Sequence, residues 1–285
     1  MIVKVIPPQE RFFNFEDSER LKDFFLKACE VFKDYRFIML PSLEIYSQEL
    51  YGESPFIVGS LQDGSLLCLR RDWTVSLARF LSLQKDLPLP LKFFYWGNVF
   101  SPCGSLESYQ VGVELLGDPS VEAEVEALQA IGNYLKACGM EKLTLSLGHV
   151  AIVEELLNKY GESYRQAILE KNFSLLSSVE PLRDLLLANG GFELLDSFEK
   201  KYPEFSTHCH RLREVAQRLK GFNILFDLSE IRPKSYYTGL VFEFFHPRVG
   251  QPLAGGGRYD GLYKNLGRDI CAFGGAIYLD LLLEV

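Results

Sequence analysis

Cationic side chains are scarce in this chain of 285 residues, and none occurs between Lys92 and Lys136. Lysine and arginine together number 30 against 38 acidic residues, which gives a formal net charge of -8. A general nucleic-acid surface needs clustered lysine and arginine, so this balance argues against one. Any site built from residues 93–135 has to work without a cation from that stretch.

Short-range cysteine pairs, a signal peptide and a long apolar run are also missing. The six cysteines stand at positions 29, 68, 103, 138, 209 and 271, with no CxxC pattern. This usage favours reduced thiols over a disulfide framework. The opening MIVKVIPPQERFF lacks the apolar stretch of a signal peptide, and no run reaches the roughly 20 residues of a membrane span. We therefore expect a cytoplasmic protein with no membrane segment.

Segments with helical spacing alternate with segments of strand-like alternation, and 47% of the residues are hydrophobic. The strands are mostly linked as hairpins, which predicts an α+β fold with an antiparallel sheet. Between residues 149 and 220 leucine, glutamate, lysine and arginine recur at helical spacing, which predicts a helical insertion. A core domain would then comprise residues 1–148 and 221–285.

The segment YWGNVFSPCGSLESYQVGVELLG, residues 95–117, predicts two strands joined by a tight turn. Alternation places Gln110, Gly112 and Glu114 on one face and the valines on the other, in a core. An amide, a gap and a carboxylate then lie side by side, as a small ligand with a positive group would require. A glycine inside a strand often marks the close approach of a ligand.

The segment EIRPKSYYTGLVFEFF, residues 230–245, predicts another strand with an interior glycine. On a continuous strand Tyr237 and Gly239 share one face, whereas Tyr236 and Thr238 share the other. A ligand-facing strand and a plain aromatic core strand are equally good interpretations of this segment alone.

Two short motifs favour structural interpretations. AGGGRYDGL, residues 254–262, lacks both the GK[ST] ending and the GxGxxG spacing, so a tight turn into a helix is favoured over a phosphate loop. HCH at 208–210 favours a solvated helix face, because adjacent helical side chains diverge and no second ligand pair occurs at metal spacing. We expect neither a metal nor a cofactor.

Five segments, in order, resemble the class II aminoacyl-tRNA synthetase family and its histidyl-tRNA synthetases. DYRFIMLPSLEIYSQEL is similar to the class II dimer motif, with its proline at Pro41. LRRDWTVSLAR resembles LRPDxTxxxAR, although Arg71 replaces the usual proline. YQVGVELLG resembles the QxGxE strand, IRPKSYYTGLVFE resembles RGxDYYTGxxFE, and AGGGRYDGL resembles AGGRYDGL. The resemblance implies a class II synthetase-like core with a mainly antiparallel mixed sheet flanked by helices.

In that family these motifs build a histidine pocket, and the matching positions here carry the implied roles. Those expected to hold the α-amino group are Asp72, Thr74, Gln110 and Glu114. Arg232 would face the carboxylate side, and Tyr237 and Tyr259 would contact the imidazole. An ammonium group flanked by carboxylates gains charge-assisted hydrogen bonds of about 1.5–3 kcal/mol each.

The departures from the family pattern predict that ATP is no longer held. Ser101 stands where motif 2 has an arginine that binds the α-phosphate, and Leu281 stands where motif 3 ends in an arginine. Glu107 lies in the intervening loop where basic residues are usual, and residues 233–235 depart from the RGxD pattern. The chain stops at Val285, where a synthetase would continue into an anticodon-binding domain. We expect histidine recognition without adenylation.

A synthetase-like chain with these losses resembles the regulatory subunits of ATP phosphoribosyltransferase. The resemblance implies a non-catalytic partner of a short-form catalytic subunit, required for its activity and for feedback inhibition by L-histidine. It also implies a hetero-octamer and self-association through the motif around Pro41. Two alternatives remain open at this point: an enzyme that still activates histidine, and a binding module that senses tRNA.

Overall fold

A computed structural model describes residues 13–48, 55–102, 105–231 and 236–285. Its strands are β1 Arg36–Ile38, β2 Leu43–Ile45, β3 Ile57–Ser60, β4 Leu66–Leu69, β5 Leu91–Phe100, β6 Glu107–Leu116, β7 Thr144–His149, β8 Asn189–Gly190, β9 Asn223–Asp227, β10 Leu240–Phe245, β11 Ala254–Arg258 and β12 Ala272–Tyr278. Nine of them form one sheet in the order β1-β5-β6-β12-β11-β10-β7-β9-β8. Among these neighbours β1–β5 and β7–β9 are parallel and the rest antiparallel, as the family resemblance predicts.

Helices cover both faces of this sheet. They are α1 Phe15–Val31, α2 Trp73–Ser82, α3 Val121–Ala137, α4 Val150–Tyr160, α5 Arg165–Leu169, α6 Phe173–Leu176, α7 Glu180–Leu187, α8 Phe192–Lys201, α9 Ser206–Arg218, α10 Asp260–Asn265 and α11 Leu279–Leu282. Short 3-10 turns occupy Glu162–Tyr164 and Pro203–Phe205. None of the helices in the described ranges combines the length and the apolar character that a membrane span needs.

The hairpin β5–β6 forms as predicted, with Gly97 opposite Gln110 and Phe93 opposite Glu114. Val111 and Val113 are wholly buried in the larger core, which also contains residues of α1 and α3. Because side chains alternate along a strand, Glu114 faces the other side of the sheet, where α2 packs. The sheet therefore separates a helical layer from the face that carries the predicted site.

The three consecutive glycines of AGGGRYDGL lie in a strand, so the predicted glycine turn is wrong. They belong to β11, where Gly256 pairs with Gly275 and Gly257 with Gly274 across β12. Helix α10 follows directly, as expected. Small residues on both strands let the two backbones and their neighbours pack closely at the centre of the sheet.

The three-stranded sheet β2–β4–β3 stands beside the large sheet and is attached to it through two arginines. The buried Arg70 guanidinium donates to the carbonyls of Leu40 at 3.0 Å, Pro41 at 2.8 Å and Asn98 at 2.9 Å. Arg79 of α2 donates to the carbonyl of Ile45 at 2.6 Å. These bonds fix the segment around Pro41 against strand β5 and helix α2.

Residues 149–220 are mostly helical, with the two-residue strand β8 pairing at the edge of the large sheet. Their apolar side chains, such as Ile152 and Leu212, share one continuous core with Phe242 of the sheet. Within HCH, Cys209 is buried, whereas His208 approaches Glu155 at 3.0 Å and His210 approaches Glu199 at 3.5 Å. The assignment of this stretch as an insertion into a core domain stays a prediction.

Candidate functional site

Asp72 is positioned by the start of helix α2, which it caps. Its Oδ1 accepts the backbone N–H of Val75 at 3.2 Å, and its Oδ2 accepts the Tyr236 hydroxyl at 3.1 Å. Only 7% of Asp72 is exposed. An N-cap carboxylate accepts an orphan N–H group of the first helical turn and lies at the favourable end of the helix dipole.

Glu114 lies at the bottom of the site and is completely buried. Its Oε1 accepts the Thr74 hydroxyl at 2.8 Å, and its Oε2 accepts the hydroxyl of Tyr259. Gly274 on β12 lies opposite, and a Cβ at that position would overlap the carboxylate. The carboxylate is therefore held by helix α2, by the end of β11 and by a glycine that leaves it room.

Tyrosine rings surround these two carboxylates. Tyr236 lies 4.7 Å from Tyr237 and 6.0 Å from Tyr259, measured between ring centroids, and Tyr95 stacks on Trp73 at 4.5 Å. Burial raises the pKa of Tyr95 and Tyr259 well above the ordinary value of 10.0, and Glu114 raises both further. Both phenols are hence neutral O–H donors at physiological pH.

Gly112 makes room for a protein side chain and not directly for a ligand. A Cβ at Gly112 would overlap the ring and hydroxyl of Tyr95, its partner across the hairpin. The gap that the sequence predicts between Gln110 and Glu114 is consequently filled by Tyr95. The sequence carries a signal for this contact, because the antiparallel register of the hairpin sets Tyr95 opposite Gly112.

Gln110 lies away from the carboxylate pair, on the same face of β6 but four residues from Glu114, a distance of about 13 Å along a strand. It lines a separate cleft of about 460 Å³ together with Tyr278, Asp280 and Leu281. Asp280 accepts the backbone N–H of Tyr109 at 2.8 Å. Among the described residues no lysine or arginine lines this cleft.

The remaining predicted positions divide as follows. Ser101 closes the β5–β6 turn by donating its backbone N–H to Leu106 at 3.1 Å. Tyr237 lies beside the carboxylate pair through its contact with Tyr236. Arg232 and residues 233–235 lie outside the described residues. The structure thus brings Asp72, Thr74, Glu114, Tyr237 and Tyr259 together and sets Gln110 apart.

The predicted strand through residues 236–239 is wrong. Strand β10 begins only at Leu240, and the two tyrosines before it contact each other, which opposite faces of a strand would not allow. Tyr236 thereby becomes a pocket residue that the alternation argument assigned to the other face. Tyr95, Tyr236 and Trp73 are the site residues that the sequence argument missed.

The fold and the site define a class II aminoacyl-tRNA synthetase-like core. The family model described as histidyl-tRNA synthetase matches residues 10–282. An ATP phosphoribosyltransferase regulatory subunit of Aquifex aeolicus is 34% identical over 288 residues, which cover 97% of this chain and 74% of that relative. The chain therefore belongs to the histidyl-tRNA synthetase family and, within it, to the regulatory subunits of ATP phosphoribosyltransferase. The family and the class of fold that the motifs indicate are confirmed.

Two solved structures share this fold. One is described as an ATP phosphoribosyltransferase regulatory subunit/histidyl-tRNA synthetase from Bacillus halodurans. It has a TM-score of 0.87 at 27% identity, and the match covers 100% of this chain and 83% of the Bacillus halodurans chain. The other is an ATP phosphoribosyltransferase HisG:HisZ complex from Thermotoga maritima, with a TM-score of 0.67 at 22% identity, covering 93% of this chain and 98% of its own. At 22% identity, the similarity to the Thermotoga maritima structure shows a shared fold only.

Proposed function

We propose that this chain binds L-histidine in the carboxylate–tyrosine pocket and thereby sets the activity of a separate ATP phosphoribosyltransferase catalytic subunit. The observation that carries the proposal is the contrast between two neighbouring sites on one face of the sheet. The pocket around Glu114 has its acidic and phenolic groups in mutual contact. The cleft beside it has Leu281 and Asp280 at its wall and no cation among its described lining residues.

The contacts favour a particular orientation of histidine. Because Tyr259 donates directly to Glu114, these two residues serve the same end of the ligand. The buried Glu114 carboxylate has further lone pairs that can accept an imidazole N–H, whereas the single O–H of Tyr259 is donated to Glu114 and keeps that carboxylate in place. Asp72, less deeply buried and on the adjacent helix end, then takes the ammonium group, with the rings of Tyr236 and Tyr237 beside the ligand. This differs from the expectation that Glu114 serves the α-amino group.

The same contrast supports a subunit that does not adenylate histidine. Adenylyl transfer develops negative charge on phosphate oxygens, and placed cations stabilise it. Removing one such donor commonly costs about 10²–10³ in rate. Ser101 and Leu281 occupy the two positions where the family has arginines, and Asp280 adds an acidic group to the cleft wall.

Self-association through the segment around Pro41 is supported by apolar exposure. Exposed fractions reach 73% for Met39 and 53% for Val58, and the other exposed apolar residues of this surface are Phe37, Leu43, Ile45 and Ile57. Extensive apolar exposure is typical of an interface. We propose that two copies of this chain pair here, within the hetero-octamer that the resemblance implies.

The test is reconstitution with the short-form catalytic subunit of the same organism. Phosphoribosyl-ATP formation is followed with each protein alone, with both together, and with L-histidine added to the mixture. Activity that requires both chains and falls with histidine is expected. If activity is indifferent to this chain, the proposal fails; histidine-dependent pyrophosphate exchange by this chain alone would also contradict it.

A further inference from the structure

Arg258 contacts both backbone segments that carry pocket tyrosines, although its guanidinium lies on the opposite face of the sheet. Its carbonyl accepts the backbone N–H of Thr238 at 2.8 Å, and its aliphatic stem packs directly over Gly239. The residue before these two is Tyr237, and the residue after Arg258 is Tyr259. Any shift of Arg258 is therefore transmitted to the loop of Tyr236 and Tyr237 and to the phenol that bonds Glu114.

The guanidinium of Arg258 is anchored by a carboxylate inside the helical layer. Its Nε donates to Glu124 Oε1 at 2.8 Å, and only 1% of Glu124 is exposed. Arg258 pairs with Phe273 across β11 and β12, and Phe273 is wholly buried in the core beneath α1 and α3. Glu124 belongs to the first turn of α3, so the anchor joins the pocket strand to a helix on the opposite face of the sheet from Glu114.

The second oxygen of Glu124 is bound by helix α9. Arg211 donates from its Nε to Glu124 Oε2 at 2.8 Å and from its Nη2 to the carbonyl of Pro119 at 2.9 Å. The two arginines share one buried carboxylate, each with its own oxygen. Groups in one buried ion-pair network respond to each other's removal, because the partner left behind loses its compensation.

We propose that Arg258 is a positioning residue of the histidine pocket, and that helix α9 tunes histidine affinity through Arg211 and Glu124. This inference rests on the proposed function, since it concerns the affinity of that same pocket. A ligand enclosed by tyrosines from two segments binds best when both are already held in place, because ordering them on binding would cost affinity. Through Arg211 and Glu124, helix α9 on the far side of the sheet helps to hold these tyrosines in place before histidine binds.

The test compares two arginines of helix α9. Arg211→Gln removes the bond to Glu124, whereas Arg213→Gln removes bonds from α9 to Asp196 and Glu199, which stay within residues 149–220. The two side chains are similarly exposed, 27% for Arg211 and 20% for Arg213. Both substitutions delete one positive charge from the same helix, so they match in charge and in position.

Histidine dissociation constants are measured by calorimetric titration, well below the unfolding temperature of every variant. We expect Arg211→Gln to bind histidine about tenfold more weakly than the parent chain, equivalent to roughly 1.4 kcal/mol. Arg213→Gln should stay within about twofold, and Arg211→Lys should recover part of the loss because the positive charge is kept. Glu124→Gln would be a more drastic probe, but it strands two arginines and risks unfolding the chain.

Equal losses in Arg211→Gln and Arg213→Gln, or no loss in either, would overturn the inference while leaving histidine binding by the parent chain intact. Failure of the parent chain to bind histidine at all would instead remove the proposed function, and this inference with it. A lower unfolding temperature for Arg211→Gln with an unchanged dissociation constant would assign the network to stability alone and overturn the positioning role.

Discussion

Replacing Glu114 by glutamine keeps the shape of the deepest pocket side chain and removes its charge. In the parent chain both oxygens accept, one from Thr74 at 2.8 Å and the other from Tyr259. An amide can present an oxygen to only one of these two donors, so the other hydroxyl has to turn away or accept instead. The substitution therefore disturbs the same two contacts that define the bottom of the pocket.

The expected effect on histidine affinity follows from the kind of hydrogen bond that is lost. A hydrogen bond to a charged group contributes about 1.5–3 kcal/mol. Converted to affinity, the loss of one such bond raises the dissociation constant roughly 10- to 150-fold. Glu114 is wholly buried, so water does not screen its interactions. We therefore expect an increase in the dissociation constant in the upper half of that range.

The assay is calorimetric titration of Glu114→Gln with L-histidine, followed by the histidine inhibition curve of the reconstituted complex. Both should shift by the same factor if one pocket serves binding and inhibition. Glu107→Gln is the matched control, since Glu107 is at the other end of β6 and accepts from Asn98 at the β5–β6 turn. A dissociation constant within about twofold of the parent, in a folded Glu114→Gln variant, would refute the assignment of Glu114 to the ligand.

Three further predictions concern stability. Gly274→Ala should destabilise the fold by about 1–3 kcal/mol in urea unfolding, because the added Cβ would overlap the Glu114 carboxylate and lie 2.5 Å from the Val113 carbonyl oxygen. A loss of stability below about 0.5 kcal/mol would contradict this close packing. Arg70→Lys should lower the free energy of unfolding by about 3 kcal/mol, because an ammonium group cannot reproduce the planar guanidinium that binds separate backbone carbonyls. An equal loss in the exposed Arg36→Lys would contradict this reasoning. Burial, followed by the charges of neighbouring groups, lowers the pKa of His149 to about 3. The unfolded chain therefore takes up that proton first, and stability should fall by at most about 1.4 kcal/mol per pH unit as pH drops from 6.5 towards 3. His149→Asn should flatten this slope in urea unfolding between pH 7 and pH 5, and an unchanged slope would show that other groups cause it.

Strand alternation predicted the site where a strand is continuous and failed where it is not. The hairpin β5–β6 follows its pattern from end to end, so the burial of Val111 and the opposite orientation of Glu114 could be obtained from spacing alone. Between residues 236 and 239 the same rule gave the wrong face for Tyr236, because the chain enters β10 only at Leu240. Local composition did not mark that boundary, as aromatic residues are frequent in strands and in loops that pack on them.

Contacts between distant segments were not predictable from local pattern. The bond between Tyr259 and Glu114 joins residues 145 positions apart, and the bond between Tyr236 and Asp72 spans 164. Family resemblance supplied part of the pocket, Asp72, Thr74, Glu114, Tyr237 and Tyr259, but neither Tyr95 nor the pairing inside the pocket. That pairing depends on which side chains fill the space left by glycines, as Tyr95 does over Gly112.

The two sites on the Glu114 face of the sheet depend on different elements, so substitutions in the cleft can leave the carboxylate–tyrosine pocket intact. Helix α2 and the residue after β11 supply Asp72, Thr74 and Tyr259 to the pocket, whereas strand β6 and helix α11 supply Gln110 and Leu281 to the cleft. Glu114 is completely buried with two bonded oxygens, so its replacement would disturb the packing of the pocket. With its two sites built from different elements, such a fold could lose phosphate binding one residue at a time while the proposed histidine pocket kept its contacts.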